Sequence, residues 1–193
     1  KSLRLEGGHT ESNWGLDPNP DLYTTTLDAD HKGRVAVISG TIKVVLDSLI
    51  LTGGMADDGT LSNNGGGIWT NANLSVSNST IFSNTSISSG GGMYVFDNSS
   101  VVLTEVTFSD NWGYRAGGMY LRNYTDATMS DVTFVDNYVD HSGGAIFSND
   151  FSKMTMTDVS FIRNSGRFGG AIYNNYDTSQ SMTNVRFLGN SGS

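Results

Sequence analysis

A short glycine-rich motif returns five times along this chain at nearly constant spacing. Each copy has three small residues, mostly glycine, followed by Ile or Met and then by an aromatic residue. The copies are Gly65–Trp69, Gly90–Tyr94, Ala116–Tyr120, Gly143–Phe147 and Gly169–Tyr173. Successive copies begin 25, 26, 27 and 26 residues apart. A period of this length is typical of a repeat array, in which similar units stack on one another.

A second motif, Phe or Ile followed three residues later by Asn, repeats with the same period. Its copies are Ile81–Asn84, Phe108–Asn111, Phe134–Asn137, Phe161–Asn164 and Phe187–Asn190. Each unit also contains short segments that alternate with period two, such as Val101–Thr104 and Met154–Thr157. Because so short a unit cannot bury its own apolar face, we expect parallel coils stacked about 4.8 Å apart. The predicted fold is all-β, a right-handed parallel β-helix (solenoid) of about six or seven coils.

The repeat also suggests how the chain is organised. We expect one β-helix domain over 1–193, with an irregular N-terminal lead-in or cap at 1–34. Terminal repeats are usually atypical. Residues 35–64 are interpreted as a degenerate first coil followed by a loop, and 65–193 as the regular repeats.

Composition excludes several classes of protein. The formal net charge is −8, which argues against nucleic-acid binding, because such proteins carry basic faces. There are 0 Cys, so the chain has no disulfide framework and no thiolate metal site. No apolar run reaches the roughly 20 residues of a membrane-spanning helix. The sequence shows neither an initiator Met nor a signal peptide, and we expect a mature or excised piece.

The repeated asparagines are predicted to be structural. They occupy the place where each coil must turn, and an Asn side chain can hydrogen-bond neighbouring backbone. The predicted ladder consists of Asn84, Asn111, Asn137, Asn164 and Asn190. The repeated glycines are likewise read as backbone positions and not as a phosphate loop, since neither Lys-Ser/Thr nor a helix follows them.

An aromatic column is the main candidate for a ligand or partner surface. If the Ile or Met of each glycine motif faces inward, strand alternation turns the next residue outward. The column consists of Trp69, Tyr94, Tyr120, Phe147 and Tyr173. An exposed apolar stripe of this kind usually marks a binding surface. Two alternatives remain open: the phase is the opposite one, or a loop covers the stripe.

No catalytic residue, metal site or cofactor is predicted. Glu105, Asp131 and Asp158 stack at one corner and Asp110 and Asp136 at another, but no basic partner accompanies the first column. We interpret these carboxylates, and the Asp57-Asp58 pair in the expected loop, as solvated turn residues. The three histidines, His9, His31 and His141, lack ligand spacing.

Two further patterns concern the surface. Thr128, Ser130 and Thr133 align with Thr155, Thr157 and Ser160, a regular hydroxyl face similar to that of ice-binding solenoids, although Thr is also an ordinary strand residue. The N-glycosylation motif Asn-x-Ser/Thr begins at Asn73, Asn78, Asn84, Asn98 and Asn123. Asn84 belongs to the ladder, so Asn73, Asn98 and Asn123 are the better acceptors if the host glycosylates.

The two motifs together resemble the repeat of the chlamydial polymorphic outer-membrane proteins and of related secreted β-helix proteins. The resemblance covers nearly the whole chain and includes the lead-in segments Glu6–Thr10, Thr26–Asp30 and Leu51–Gly54. In that family the repeats build surface-exposed adhesive passengers ahead of a membrane barrel. This sequence contains no barrel segment, so secretion by that route is not implied.

These observations lead to one functional hypothesis with alternatives. We expect a non-enzymatic extracellular or cell-surface protein that acts as an adhesin or builds a layer or filament. Its partners would be host or cell-surface glycans or itself, by lateral or end-to-end assembly, because no capping segment follows Gly189. The alternative is a carbohydrate-binding or polysaccharide-degrading domain, and ice binding is a third interpretation.

Overall fold

The computed structural model describes residues 2–9, 19 and 22–192 of the chain. In this part the backbone winds through three parallel sheets, and every strand pairs with its equivalents in the neighbouring coils. The predicted parallel β-helix is therefore confirmed. It is all-β apart from one short 3₁₀ turn at Thr60–Asn63.

The strands are assigned to three sheets. Sheet 1 contains β1 (Ser2–Glu6), β2 (Thr25–Asp28), β4 (Lys43–Asp47), β5 (Leu49–Thr52), β8 (Asn73–Phe82), β11 (Ser100–Ser109), β14 (Asp126–Ser130), β15 (Thr133–Val135), β18 (Lys153–Thr157), β19 (Ser160–Ile162), β21 (Ser179–Thr183) and β22 (Arg186–Leu188). Sheet 2 contains β3 (Ala36–Ile38), β7 (Ile68–Thr70), β10 (Met93–Phe96), β13 (Met119–Arg122), β17 (Ile146–Ser148) and β20 (Ile172–Asn174). Sheet 3 contains β6 (Met55–Ala56), β9 (Thr85–Ser89), β12 (Trp112–Arg115) and β16 (Tyr138–Ser142).

The six strands of sheet 2 define about six coils, in agreement with the sequence. The lead-in is more regular than expected. Strand β1 pairs with β4 and strand β2 pairs with β5, so the described parts of 1–34 already belong to the stack. Residues 10–18 and 20–21 of the lead-in lie outside the described residues.

The core is a set of columns in which each side chain lies over its equivalent in the next coil. Phe108 pairs with Phe134 and Phe134 with Phe161, and the ring centroids are 4.8 and 5.2 Å apart. These three rings are fully buried. Phe187 continues the column in the last coil, where it is 52% exposed. These columns thus form one continuous apolar interior.

Two columns of residues with left-handed backbone make the corners that flank the second segment of sheet 1. Asn78, Glu105, Asp131, Asp158 and Asn184 occupy the first corner, with φ between 48° and 56°. Gly53, Ser83, Asp110, Asp136, Arg163 and Gly189 occupy the second corner. Asn and Asp tolerate this conformation better than most residues, which explains why polar residues recur there.

The asparagine ladder lies immediately after the second corner. Asn84, Asn111, Asn137 and Asn164 are at most 1% exposed, and each donates through Nδ2 to the Oδ1 of the next Asn at 2.9–3.1 Å. Each Nδ2 also donates to a backbone carbonyl of the preceding coil. The ladder therefore satisfies backbone groups that the sheets leave unpaired at a buried turn.

Glycine is required next to the ladder because the chain passes very close to neighbouring coils. Gly143 has a φ of 72°, a conformation that side chains disfavour. A Cβ at Gly118 would lie 2.7 Å from the Ala145 carbonyl oxygen and 2.8 Å from Phe134. The glycine motif and the Phe-x-x-Asn motif thus pack against each other, which accounts for their common period.

We predict that replacing one ladder residue in mid-stack weakens the whole stack. In Asn137→Ala the carbonyl of Phe108 and the amide of Asn111 lose their partners in a buried place. Each unpaired group costs about 1–3 kcal/mol, so the free energy of unfolding should fall by about 3 kcal/mol or more. Urea denaturation measures this, with Asn175→Ala as the control because its amide bonds only the part-buried Asn149. Equal losses in both variants would contradict the structural role of the ladder.

A buried carboxylate ties the lead-in to the first full coil. Asp47 is 7% exposed and accepts hydrogen bonds from Arg4, Ser77 and Asn78 at 2.6, 2.6 and 2.9 Å. Burial raises the pKa of Asp47, but the hydrogen bonds from Ser77 and Asn78 and the charge of Arg4 outweigh it. The pKa therefore lies below its ordinary value.

We predict a loss of stability in acid that depends on Asp47. A carboxyl group with a lowered pKa stabilises the fold above its unfolded pKa of about 3.9, and this contribution disappears as the pH falls through the folded pKa. Asp47→Asn should thus be less stable than the unaltered protein at pH 7, and the difference should shrink below about pH 4. Urea denaturation across this range gives the answer. Asp57→Asn, at an exposed loop position, should follow the unaltered protein throughout. A difference independent of pH would overturn the assignment.

Candidate functional site

The aromatic column points away from the main core, as the alternation predicts, but it is not an exposed stripe. The preceding Ile and Met side chains pack in or against the core, and the aromatic rings form a separate apolar cluster with Ala116. Tyr94, Tyr120 and Phe147 are only 5–6% exposed, whereas Trp69 and Tyr173 are half-buried. The expected solvent exposure is therefore corrected for the three central rings, which cover one another and lie between raised walls.

The rings of the column stack along the helix axis. The centroids of Tyr94 and Tyr120 are 5.3 Å apart and those of Tyr120 and Phe147 are 4.9 Å apart, with interplanar angles of 20° and 14°. Since neighbouring rings occupy each other's faces, the central rings present their edges outward. A sugar ring therefore cannot stack on the face of a central ring. An exposed aromatic stripe would have allowed such stacking.

Two walls, made mostly of polar residues, turn the column into the floor of a groove, which we call the axial groove. The wall from the corner between sheets 3 and 2 consists of Ser88, Ser89, Arg115, His141 and Ser142. The wall on the opposite side consists of Phe96, Asp97, Arg122, Asn123, Asn149 and Asn175. The five floor positions span about 19 Å at the usual strand spacing.

The axial groove contains two adjoining cavities. The first has a volume of about 420 Å³ and extends from Trp69 to Tyr120. The second has a volume of about 240 Å³ and extends from Tyr120 to Tyr173. Both are lined by Arg115 and Tyr120, so these two residues lie at the junction. The groove is thus continuous along five coils.

The electrostatic character of the groove comes mainly from two arginines. Arg122 Nε donates to Asp150 Oδ2 at 3.3 Å, and its guanidinium also contacts the Tyr94 hydroxyl, an interaction that raises the pKa of Arg122. The guanidinium of Arg115 lies 5.5 Å from the centre of the Tyr114 ring, and within the described residues it forms no ion pair. Burial raises the pKa of Tyr94 and Tyr120, which keeps their hydroxyls protonated.

The carboxylates that the sequence analysis considered lie outside the groove. The acidic columns are corner residues: Asp136 forms a bidentate pair with Arg163 at 2.6 and 2.8 Å, and Asp158 bonds Asn184. Asp58 bonds Thr60 within the loop, and Asp57 is exposed. The three histidines lie in separate parts of the chain, and His141 packs between Tyr114, to which its ring is tilted, and Phe168, which it meets edge to face. In the described ranges no group of three or more His, Asp or Glu is arranged to hold a metal ion.

The remaining predicted surface positions lie elsewhere. The Thr and Ser columns of sheet 1 are in register, Thr128 with Thr155 and Ser130 with Thr157, and they line the outer face of that sheet. Of the glycosylation motifs, Asn73, Asn78 and Asn98 are exposed and Asn84 is buried. Asn123 donates to Asp97 and lines the first cavity, so a glycan on it would occupy the groove.

Sequence reasoning did not identify the walls of the groove. Arg122 comes two residues after Tyr120 and is therefore on the same outward face of β13, a signal that could have been read. Its equivalents, Phe96 and Asn149, are of other types, so no repeated pattern marks the position. Arg115 lies at a register irregularity between β12 and its neighbours, which the sequence does not show.

The described chain is thus a parallel β-solenoid with an axial groove on one side. The family model described as right handed beta helix region matches residues 31–191, and the chain belongs to that family. No curated protein and no solved structure matches the chain. Within the described residues, no helix is long and apolar enough to cross a membrane.

Proposed function

We propose that this protein is a non-enzymatic extracellular adhesin that binds a linear, carboxylate-bearing glycan in the axial groove. The observation that carries the proposal is the pair of guanidinium groups, Arg115 and Arg122, at one cavity beside a buried aromatic floor. The chain has a formal net charge of −8, so the guanidinium of Arg115, which forms no ion pair within the described residues, differs from the surface around it. The resemblance of the repeat to adhesive passengers supports the extracellular role.

The walls offer groups suited to an extended acidic sugar chain. Guanidinium groups bind carboxylates with paired hydrogen bonds, and Arg115 has no competing carboxylate partner in the described structure. The amides of Asn149 and Asn175 and the Tyr hydroxyls supply donors and acceptors for sugar hydroxyls. The ring edges on the floor present apolar surface to the carbon skeleton of the sugar.

The carboxylates around the groove favour binding over cleavage. Glycoside hydrolysis by the usual route requires two carboxyl groups on either side of the bond. Among the described residues that line the two cavities, Asp97 is the one carboxylate, and it accepts a hydrogen bond from Asn123 at 2.8 Å. We therefore expect no reducing sugar to be released from any chain that binds.

The proposal predicts selective binding of acidic chains through Arg115. Calorimetry with hexasaccharides of galacturonate and of hyaluronan should detect binding that weakens with added salt, whereas cellohexaose and chitohexaose should bind less tightly. Arg115→Ala should weaken binding of the acidic chains about 10- to 100-fold, because it removes hydrogen bonds from a charged donor.

The matched control is Arg167→Ala. Arg167 lies 5.3 Å from the Phe168 ring, the same type of contact that Arg115 makes with Tyr114, but it lines neither cavity of the groove. The Arg167→Ala variant should therefore bind the acidic chains as tightly as the unaltered protein does. Equal losses in the two variants, or equal affinity for neutral and acidic chains, would sink the proposal.

A further inference from the structure

The loop between β6 and β7 distinguishes the first coil from those that follow. In the next coil only three residues separate β9 from β10, whereas here the chain runs from Ala56 to Ile68 between the two strands. The loop contains a left-handed turn: Gly59, Leu61, Ser62 and Asn63 have φ values of 76°, 45°, 53° and 55°. Three of these are not glycine, so the turn must be held by its surroundings.

A buried arginine holds this loop. The Arg34 side chain is 4% exposed, and its four hydrogen bonds all go to the loop. Nε donates to the Asn64 carbonyl at 2.8 Å, Nη2 to the Thr60 carbonyl at 2.8 Å, and Nη1 to the Thr60 hydroxyl and to Asp58 at 3.0 and 3.3 Å. A second tie comes from Ser86, whose hydroxyl donates to the Asn63 carbonyl at 2.6 Å.

The loop held in this way reaches the axial groove. Leu61, Ser62 and Asn64 line the first cavity together with Trp69. Val37 pairs with Trp69 and is the next member of its column, yet it does not line the cavity. At the other end the floor continues through Tyr120 into the second cavity. The loop therefore lines the groove at its Trp69 end, and the floor continues from there to Tyr173.

We infer that the loop closes one end of the groove, so that the site receives the end of a glycan chain and not its interior, and that Arg34 is the positioning residue for this closure. The inference rests on the proposed function for the nature of the ligand. The position of the loop beside Trp69 does not depend on the proposed function, and it can be measured without any sugar.

The first experiment uses Trp69 as a reporter. In the background Trp14→Phe/Trp112→Phe, acrylamide quenching reports on Trp69 alone. Arg34→Met keeps the length of the side chain but loses all four hydrogen bonds, so the quenching constant should rise about twofold or more as the loop detaches. Arg163→Met, which breaks an exposed ion pair far along the chain, should leave it unchanged. Thr60→Ala, a substitution at an exposed loop position, should give a smaller rise of the quenching constant. This variant replaces Arg34→Met in the experiment if Arg34→Met does not fold. Unchanged quenching in both loop variants would overturn the role of Arg34.

The second experiment tests recognition of chain ends. Galacturonate hexasaccharide and long polygalacturonate are compared at equal mass as competitors for a labelled hexasaccharide. A site closed at one end should prefer the hexasaccharide in proportion to its larger number of chain ends, and Arg34→Met should reduce this preference. Equal competition by the long polymer would refute end recognition. If neither sugar binds while the quenching result holds, the proposed function fails and the closure by the loop stands.

Discussion

The structure depends on the register with which one coil lies on the next. Because parallel strands are held about 4.8 Å apart by their hydrogen bonds, each side chain has its equivalent directly above and below it. A residue type that stacks well on itself at this distance can therefore be used in every coil. Phe rings do so at 4.8–5.2 Å, and Asn amides do so as a chain of hydrogen bonds at 2.9–3.1 Å. The two repeated motifs are the direct result of this constraint.

The same spacing limits what an outward column can do. The central aromatic residues of the column stack face to face, so their faces are used by their neighbours and only their edges remain. The aromatic floor contributes apolar area and rigidity to the axial groove, whereas the directional contacts must come from its walls. This is why the functional proposal rests on Arg115 and Arg122 more than on the aromatic rings.

The sequence predicted those features that recur and missed those that do not. The fold and the asparagine ladder follow from the period. The burial of Tyr94 and Tyr120 does not, because it depends on walls formed by residues that differ from coil to coil. The hydrogen bond from Arg34 to the Asn64 carbonyl joins positions 30 residues apart, and no local pattern reveals it. The loop itself was recognised, but not its place beside Trp69.

Function in such a solenoid is therefore to be sought where a coil departs from the repeat. Arg115 and Arg167 make the same contact with an aromatic neighbour, yet only Arg115 lies where the two cavities of the groove meet. Likewise, the loop at 57–64 is inserted before a glycine motif that in the next coil follows strand β9 directly. A residue that departs from the repeat is kept in a fixed position because the coils on both sides of it are rigidly stacked. The regular columns supply the scaffold, and single irregular residues along one side determine what the groove can bind.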